Sequence, residues 1–283
     1  MPAKPAPQQS IDIGDIRITS LPDGEAHFAP TGMIPGSDDA TWQAHPHLLD
    51  DEGWYVTSLG GFLVQSGGRN ILVDLGFGDV QVEVPGFARA SGGALLGSLR
   101  AAGLGPEQID TVVYTHLHSD HTGWTTSGQD RALTFSNATH IIGSDGEWRF
   151  WQENPDAAFA PDPDSVSRPL ESRVEVASDG QTVAPGVDLV ATPGHTPGHQ
   201  SVVVSSGTAR AVILGDLLHC PLQIGKPEWG VVFDVDPDLA RRTRERQLAE
   251  LESDGAVAAC SHFPEVVFGR VLPGQGTRRW QVG

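Results

Sequence analysis

The segment 115–123 constrains this chain more than any other stretch of its sequence. It reads T-H-L-H-S-D-H-T-G, so three of the eleven histidines and one aspartate fall within six residues. In an extended or tightly turned segment, residues two positions apart point the same way, so His116 and His118 can bind one metal ion. Asp120 and His121 then point towards a neighbouring position and can bind a second ion. Imidazole and carboxylate groups are ligands that Zn(II) accepts in proteins.

Three further candidate ligands lie far along the chain, and each follows a strand-like run. They are His195, Asp216 and His262, and the apolar runs before them are residues 187–191, 209–214 and 256–260. A short β-branched run, residues 111–114, likewise precedes the first histidines and is typical of a buried strand. Ligands at the ends of buried strands stand on a rigid scaffold, as an ordered metal site requires.

The complete pattern resembles the metallo-β-lactamase superfamily of dinuclear metallohydrolases. The pattern is H-x-H-x-D-H followed by His, Asp and His, and three supporting stretches match as well: V-D-L-G at 73–76, T-P-G-H-T-P-G-H at 192–199 and G-D at 215–216. The resemblance covers the chain from about residue 11 to the C-terminus. It implies an α+β fold, an αββα sandwich of two mixed β-sheets flanked by helices.

The resemblance also implies a division of roles among the ligands. Two divalent metal ions are expected per chain, with Zn as the first choice and Mn, Fe or Co as alternatives. The expected ligands are His116, His118 and His195 for the first ion, Asp120, His121 and His262 for the second, and Asp216 as the bridge between them. Asp120 and Asp216 are therefore the candidate catalytic carboxylates. A hydroxide that bridges the two ions is the expected nucleophile, because a metal lowers the pKa of bound water from about 15.7 to about 7.

Other residues are candidates for supporting the site or for binding substrate. Asp74 ends a predicted strand, where it either orients a ligand imidazole or caps a turn. His199 is the second histidine of its repeat, and the resemblance assigns the ligand role to the first, so His199 is expected to support the site. The candidate residues of the substrate pocket are Trp124, His219, Trp229 and Phe233. Each of these four residues fits a place in the protein core as well.

The resemblance favours hydrolysis of a lactone or carboxylic ester. N-acyl-homoserine lactonases share the ligand set, but they usually carry a tyrosine after the bridging aspartate, and this chain has only Tyr55 and Tyr114. Enzymes similar to methyl parathion hydrolase match the runs 99–110 and 215–219, which makes phosphotriester hydrolysis an alternative. β-Lactam hydrolysis is disfavoured, because Asp216 stands where the common class B enzymes use a cysteine. A metal-binding protein without turnover is the remaining alternative.

The net charge limits the kinds of partner that this chain can bind. Eighteen basic and 36 acidic side chains give a charge of −18, which repels phosphate backbones and anionic membranes. We therefore expect a small-molecule ester or lactone as the partner, with no nucleic acid and no membrane. The resemblance is also compatible with a homodimer. Two cysteines and no apparent secretory leader favour the cytoplasm.

The sequence predicts one domain with two irregular segments. Residues 1–10 are expected to be a flexible tail, and residues 11–283 a single domain with an irregular N-terminal arm around 21–54 that covers the site or contacts a second subunit. The Gly67-Gly68 pair predicts a hairpin over 61–75. The sequence D-P-D at 236–238 and Gly255 predict the two ends of a long helix.

Overall fold

Two β-sheets face each other across a central core of alternating apolar side chains. In this computed structural model, which describes residues 1–282, Ile71 and Val73 of one sheet pack in the same core as Val202 and Val204 of the other. Leu72 points to the opposite face of its sheet and packs under helices. Both sheets are therefore covered on their outer faces, which explains why their strands are apolar on both sides.

Within residues 1–282, eighteen strands form the two sheets and one small ribbon. They are β1 Ser10–Ile13, β2 Ile16–Phe28, β3 Tyr55–Ser66, β4 Arg69–Val73, β5 Gln81–Val84, β6 Ala88–Ser91, β7 Thr111–Val113, β8 Thr126–Ser127, β9 Ala132–Leu133, β10 Thr139–Ile142, β11 Val174–Val176, β12 Thr182–Ala184, β13 Val187–Ala191, β14 Gln200–Ser206, β15 Ala209–Ile213, β16 Val257–Ala259, β17 Phe268–Leu272 and β18 Arg279–Val282.

In the part of the chain that the structure describes, eight α-helices and several shorter helical turns connect the strands. The α-helices are α1 Pro30–Met33, α2 Asp39–Ala44, α3 Leu95–Ala101, α4 Ser119–Thr122, α5 Asp145–Glu153, α6 Arg168–Leu170, α7 Leu222–Gly225 and α8 Pro237–Asp254. Three 3₁₀ turns, Pro46–Leu48, Pro106–Gln108 and Gly215–Leu217, and a π turn, Pro163–Ser167, lie between them. None of the helices within residues 1–282 combines the length and the apolar composition that a membrane span needs.

The order of the strands gives two mixed sheets, as the sequence predicts. The first sheet has the order β11-β10-β7-β4-β3-β2-β6-β5, and β1 also pairs with the first half of β2. Strands β4, β7, β10 and β11 run parallel to one another, and the other pairs are antiparallel. The second sheet follows the chain from β12 to β18, and only its β15–β16 pair is parallel.

Helices cover the outer face of each sheet and complete the αββα sandwich. Helices α3 and α5 cover the first sheet, where Leu95, Leu99 and Trp151 are buried in one apolar cluster with its strands. Helix α8 covers the second sheet through Leu248 and Leu251. The predicted fold class is therefore confirmed.

The turn chemistry of the sequence explains two of the predicted elements. Gly67 and Gly68 both have positive φ angles, +57° and +77°, which the primed turn of the β3–β4 hairpin requires. The side chain of Asp236 accepts a hydrogen bond from the N–H of Leu239 at the start of α8, and Gly255 ends this helix in the left-handed conformation.

The structure differs from the sequence prediction at both irregular segments. Strand β2 continues to Phe28, inside the segment predicted to be an irregular arm, because its pairing with β3 accommodates Pro22 and Gly24 at an irregularity in register. Residues 29–54 then contain the short helices α1 and α2 and the 3₁₀ turn Pro46–Leu48. The predicted tail packs on the domain: Ala3 and Ala6 are buried, and the Ala3 N–H donates to the carbonyl of Leu49.

Candidate metal centre

The candidate ligands come together because the strands before them end near one another. His116 and His118 follow β7, while Asp120 and His121 lie on the single turn of α4. In the second sheet β13, β15 and β16 run in the same direction, since β14 is antiparallel to both of its neighbours. The candidate ligands that follow these three strands therefore lie at one end of the sheet, beyond the carboxyl ends of the strands; they are His195, Asp216 and His262.

The first ligand set consists of three buried imidazoles and one carboxylate. His118 Nδ1 lies 2.9 Å from His116 Nε2 and 3.0 Å from His195 Nε2. The Oδ2 atom of Asp216 lies 3.2 Å from His195 Nε2 and 3.6 Å from His116 Nε2. Four potential ligand atoms thus converge within 4.8 Å of one another, and this donor set suits a tetrahedral zinc site.

The second ligand set uses the other oxygen of Asp216. Its Oδ1 atom lies 3.1 Å from His121 Nε2 and 3.1 Å from His262 Nε2. The Oδ2 atom of Asp120 lies 3.7 Å from the same two nitrogens. One carboxylate therefore faces both ligand sets with one oxygen each, which is the arrangement that a bridging ligand between two cations requires.

Buried atoms without partners show that this donor set fits metal ions. His121 Nε2 and Asp216 Oδ1 are buried and make no hydrogen bond to the described residues. A buried polar atom left in this state costs about 1–3 kcal/mol. Divalent metal ions at the two ligand sets would satisfy such atoms, and imidazole and carboxylate are suitable ligands for zinc.

Burial and neighbouring charges divide the histidines into two groups. Burial, together with the neighbouring imidazoles, holds the pKa of His116 and His118 well below the ordinary value, which favours the neutral form that binds metals. Burial acts in the same direction on His121 and His195, but neighbouring carboxylates outweigh it and raise the pKa of both: Asp216 and Asp74 act on His121, and hydrogen bonds to Asp216 and Asp234 act on His195. The Asp216 carboxylate therefore attracts positive charge to the centre of the site.

Asp74 contacts a candidate ligand directly. Its Oδ2 atom lies 2.8 Å from His121 Nδ1 and accepts a hydrogen bond from the Thr115 hydroxyl, while its Oδ1 atom accepts from the Thr115 N–H. The residue has a φ of +61°, a conformation that non-glycine residues rarely adopt. Of the two predictions for Asp74, these contacts favour the orientation of a ligand imidazole.

His199 fixes the backbone of Asp216. Its Nε2 atom accepts a hydrogen bond from the Asp216 N–H at 2.9 Å, so the proton lies on Nδ1, which donates to the carbonyl of Thr192. Gly215, just before Asp216, has a φ of +56°, and a Cβ atom there would lie 2.7 Å from His199 Nε2. Only glycine allows the chain to bring Asp216 so close to this imidazole.

A buried ion pair beside His195 is absent from the sequence predictions. Asp234 Oδ1 lies 2.8 Å from His195 Nδ1, and Asp234 Oδ2 accepts a hydrogen bond from Arg244 at 3.3 Å. Burial alone would raise the pKa of Asp234, but the contact with His195 and the charge of Arg244 hold it below the ordinary value. The sequence contains one signal for this pair: Arg244 shares a face of α8 with Ala240 and Leu248, so an arginine lies in a buried stripe.

Glu147 connects the two loops that carry the first ligand set. At the start of α5 the Ser144 side chain accepts a hydrogen bond from the Glu147 N–H. The Glu147 carboxylate, however, is fully buried and accepts from the N–H groups of Leu117 and Gly198. One carboxylate therefore holds the loop after β7 and the loop after β13 together.

An apolar cavity of about 280 Å³ opens onto both ligand sets. Its walls include Phe28, Phe87, Phe159 and Phe233, whose rings contact one another in pairs with centroid distances of 4.6–6.2 Å. The polar residues of its floor are His118, Asp120, Asp216, His219 and His262. No lysine or arginine belongs to the lining that the described residues form.

The structure separates the four candidate pocket residues into two pairs. Phe233 and His219 line the cavity, whereas Trp124 and Trp229 are absent from its lining among the described residues. The indole N–H of Trp124 instead donates to Asp23 at 2.9 Å. Trp229 is buried in the apolar cluster that includes Met33 and Cys220. For both tryptophans the alternative of a place in the apolar packing of the domain therefore fits the structure better than a place in the substrate pocket.

A comparison with known protein families identifies the group of proteins to which this fold and this site belong. The sequence model of the metallo-beta-lactamase superfamily matches residues 61–262. The chain belongs to this superfamily. The match includes every residue of the two ligand sets, from His116 to His262. The protein is therefore a hydrolase-type member of the superfamily with a metal-binding cluster of histidine and aspartate side chains.

Two curated relatives are 26–28% identical to this superfamily member over the aligned parts of their sequences. Metallo-beta-lactamase domain-containing protein 1 of Mus musculus is 28% identical over 71% of this chain and 68% of its own length. An N-acyl homoserine lactonase of a Bacillus species is 26% identical over 66% of this chain and 73% of its own length.

Solved structures match nearly the whole chain. A hydrolase of the beta-lactamase superfamily called AbOPH is 29% identical with a TM-score of 0.80, over 98% of this chain and 97% of its own. AidC, described as a dizinc quorum-quenching lactonase in complex with a product, has a TM-score of 0.83 at 24% identity, over 98% of this chain and 97% of its own. The likeness to AidC, at 24% identity, shows that the two proteins share a fold.

Proposed function

We propose that this superfamily member hydrolyses a neutral lactone or carboxylic ester that carries an apolar chain. The observation that carries the proposal is the position of Asp216, whose two oxygens face two ligand sets at the floor of an apolar cavity. Metal ions bound there would act as Lewis acids and lower the pKa of water. The proposed ligands are His116, His118, His195 and Asp216 for one ion, and Asp120, His121, His262 and Asp216 for the other.

Hydrogen bonds from the protein hold these ligands in position. Asp74 orients the His121 imidazole and Asp234 orients that of His195, through Nδ1 in both cases. This leaves Nε2 of each ring directed at Asp216. His199 holds the backbone of Asp216 itself. Ligands fixed by such contacts need little reorganisation when substrate binds, which favours catalysis.

The charge of the cavity favours a neutral substrate. Its walls are aromatic and aliphatic, and none of the described lining residues is cationic. Apart from the proposed metal ions, an anionic substrate would meet no lysine or arginine in the described lining, and the whole chain carries a charge of −18. A neutral ester with an apolar chain fits both observations. The lactonase names among the relatives support the same class of substrate.

A neutral phosphotriester is the second candidate substrate. The cavity favours it for the same reason, because a triester is uncharged and carries apolar groups, whereas phosphate monoesters and diesters are anionic. The reaction would use the same ligand sets and the same cavity. The two candidates therefore differ in the electrophile that the site accepts and not in the residues that hold it.

A parallel rate assay tests the proposal. Protein of measured zinc content is supplied with N-hexanoyl homoserine lactone, an aryl hexanoate and an aryl diethyl phosphate. We expect about two metal ions per chain and the highest kcat/KM on the lactone or the carboxylic ester. Dominant turnover of the phosphate would establish the second candidate, and no turnover of any of the three would refute both.

Two variants connect the turnover with the site. Asp216→Asn removes the charge that both ligand sets share, so we expect it to lose metal and at least about 100-fold in kcat/KM. Asp238→Asn makes the same chemical change on the exposed first turn of α8 and should retain metal and activity. Full activity of Asp216→Asn would contradict the proposed bridge.

A further inference from the structure

A segment near the start of the chain packs against the loop that carries His262. This loop, residues 260–267, connects β16 to β17 and is named the His262 loop. Residues 3–9, named the N-terminal strap, belong to the segment that the sequence predicts to be a flexible tail. In the structure Ala6 is 5% exposed and lies in the same apolar cluster as Val267 of the loop. The strap is therefore anchored in the core between the two sheets.

Ser58 of β3 connects the strap with His262. Its hydroxyl accepts a hydrogen bond from the Ala6 N–H at 2.8 Å and donates to the carbonyl of Phe263 at 2.8 Å. Its backbone carbonyl lies 3.0 Å from His262 Nδ1, and its N–H donates to the His262 carbonyl at 3.3 Å. Because a carbonyl oxygen only accepts, a neutral His262 ring carries its proton on Nδ1, which leaves Nε2 to bind a metal ion.

Four further hydrogen bonds hold the far end of the His262 loop on the strap. The Gln9 side chain donates to the carbonyl of Glu265 at 2.7 Å and accepts from the Val267 N–H at 3.3 Å. The Lys4 N–H donates to the Glu265 carboxylate, and the Glu265 N–H donates to the Lys4 carbonyl, both at 3.0 Å. Glu265 has a φ of +62°, which is strained for residues other than glycine. The strap therefore stabilises a loop conformation that the residues of the loop do not favour on their own.

The contacts of the strap reach one ligand set and not the other. His262 belongs to the second set, where its Nε2 atom lies 3.1 Å from Asp216 Oδ1. The other hydrogen bonds of the strap among the described residues go to Ser20, Leu49 and Ser98, and none goes to the loops that carry His116, His118 and His195. A looser His262 loop should therefore weaken the second ligand set and leave the first unchanged.

We propose that the N-terminal strap is a positioning element of the metal centre, which fixes His262 and thereby sets the affinity of the second ligand set for its ion. The inference rests on the ligand sets of the proposed function and not on its substrate. The strap acts through Gln9 and Ser58, neither of which belongs to the described lining of the cavity. Changes in the residues that orient a metal ligand typically weaken metal binding by about 10–100-fold.

Zinc affinities test this role. Metal-free protein competes with a chromogenic chelator for zinc, which gives the affinity for each of the two ions. The variants His118→Ala and His262→Ala show which affinity belongs to the first ligand set and which to the second. We expect Gln9→Ala and Ser58→Ala each to bind the second ion about 10-fold more weakly and to bind the first ion as the unaltered protein does.

Two further variants separate this role from a general loss of stability. Gln8→Ala is the matched control, because the side chain of this neighbouring glutamine donates to the carbonyl of Ser98 and not to the His262 loop. It should change neither zinc affinity. Ser58→Thr keeps the hydroxyl that connects Ala6 with Phe263, so it should bind the second ion more tightly than Ser58→Ala does.

Amide hydrogen exchange of the metal-free protein gives a readout that does not depend on the ions. Gln9→Ala removes two hydrogen bonds to the His262 loop. The amides of residues 261–267 should therefore exchange faster in Gln9→Ala than in Gln8→Ala, because local opening of this loop costs less free energy. The amides of β14, in the middle of the second sheet, should exchange at the same rate in both variants.

Two results would overturn the proposal. Equal zinc affinities and equal exchange in Gln9→Ala and Gln8→Ala would show that the strap does not position His262. An equal loss of affinity for both ions in Gln9→Ala would show a general effect on the fold. If the unaltered protein binds fewer than two ions, the proposed function fails, and the exchange of residues 261–267 then still decides whether the strap fixes the loop.

Discussion

Asp234 controls how His195 presents its imidazole, although the two residues lie 39 positions apart. The carboxylate contacts His195 Nδ1 through one oxygen and the buried guanidinium of Arg244 through the other. Arg244 also donates to the carbonyls of Leu217, Pro227 and Trp229. The ion pair thus connects a proposed metal ligand with helix α8, and removal of its charge should affect both metal affinity and stability.

We expect Asp234→Asn to weaken zinc binding by about 10–100-fold, because the residue that orients a ligand imidazole is altered. We also expect a loss of about 3 kcal/mol in the free energy of unfolding, since Arg244 keeps its charge in a buried position. Competition with a chromogenic chelator and denaturant titration measure the two effects. Asp238→Asn, on the exposed first turn of the same helix, is the control, and equal results for both variants would refute the role of Asp234.

Phe159 is held in a backbone conformation that aromatic residues rarely adopt. Its φ is +61°. Its ring contacts the ring of Phe233 edge to face, with centroids 4.6 Å apart, and its carbonyl accepts a hydrogen bond from the Ser119 N–H at the start of α4. Strain of this kind costs about 1–3 kcal/mol and is typical of residues that shape functional sites. The strain here keeps an aromatic ring in the wall of the cavity.

We expect Phe159→Gly to be more stable than Phe159→Ala by about 1 kcal/mol, because only glycine adopts a positive φ without strain. Thermal unfolding of the metal-loaded variants measures the difference. The neighbouring Ala158 has no positive φ, so Ala158→Gly should destabilise the protein by about 0.5–1 kcal/mol. A Phe159→Gly protein less stable than Phe159→Ala would show that the loop is not strained.

The sequence indicates the candidate ligands of the site but not the residues that hold them. His116 to His121 form a pattern within six positions, so their common purpose is visible without a structure. Asp234 and Phe159 act through contacts between distant segments, and no local spacing marks such contacts. Arg244 is the exception, because its place in the buried stripe of α8 indicates a buried partner.

At the level of elements, the β5–β6 hairpin forms one wall of the cavity and depends on a single carboxylate. Val82 and Val84 of β5 line the cavity, and β5 is an edge strand. The buried Asp23 accepts hydrogen bonds from N–H groups on both sides of the hairpin: Phe77 and Gly78 before it, Gly93 and Leu95 after it. The same carboxylate also accepts from the indole of Trp124.

We expect Asp23→Asn to loosen this hairpin, because an amide nitrogen would face N–H donors that the carboxylate now satisfies. The free energy of unfolding should fall by about 2–3 kcal/mol. Amide hydrogen exchange of residues 79–91 should become faster than that of β14, and KM for an apolar ester should rise. Asp79→Asn, exposed at the base of the same hairpin, is the control. Unchanged exchange in this segment would exclude the role of Asp23.

Elements with strong local signals were predictable, and elements that depend on distant pairing were not. The Gly67-Gly68 turn and the capped helix α8 are confirmed because their chemistry is local. The second half of β2 carries Pro22 and Gly24, which argue against a strand, and its pairing with β3 and β6 overrides that preference. The β5–β6 hairpin escaped prediction for a related reason, since all four residues of β5 are exposed and give no apolar alternation.

For the whole molecule, the two-sheet sandwich was predictable because the ligand pattern resembles that of the metallo-β-lactamase superfamily, and the strand-like run before each group of ligands agrees with the fold that this resemblance implies. The ligands must meet at one place, so the strands must end at one edge, and this limits the possible arrangements of the sheets. The cavity was less predictable. Its walls come from β2, β5, β6 and the loops that carry Phe159 and Phe233, and the sequence indicates Phe233 alone among the aromatic residues of the wall.

One buried histidine outside the candidate metal centre should make the stability of the protein depend on pH. His140 of β10 is fully buried, with Nδ1 3.1 Å from the Tyr114 hydroxyl and Nε2 3.2 Å from the carbonyl of Phe135. Burial, with a smaller contribution from Arg173, lowers its pKa to about 4. Nε2 therefore donates to Phe135 and Nδ1 accepts from Tyr114, which is the neutral form of the ring.

Because the pKa of His140 is lower in the folded state than the ordinary value of about 6.5, the unfolded chain binds the proton more tightly. The contribution of His140 to stability is complete above pH 6.5 and should decrease by up to about 3 kcal/mol as the pH falls to about 4. His140→Gln keeps one donor and one acceptor but cannot titrate. Denaturant titration at several pH values gives the unfolding free energy of the unaltered protein and of this variant. In the difference between the two values, the pH dependence that comes from the shared candidate metal ligands cancels. A difference that does not change between pH 6.5 and 4 would show that His140 is protonated as readily in the folded protein as in the unfolded chain.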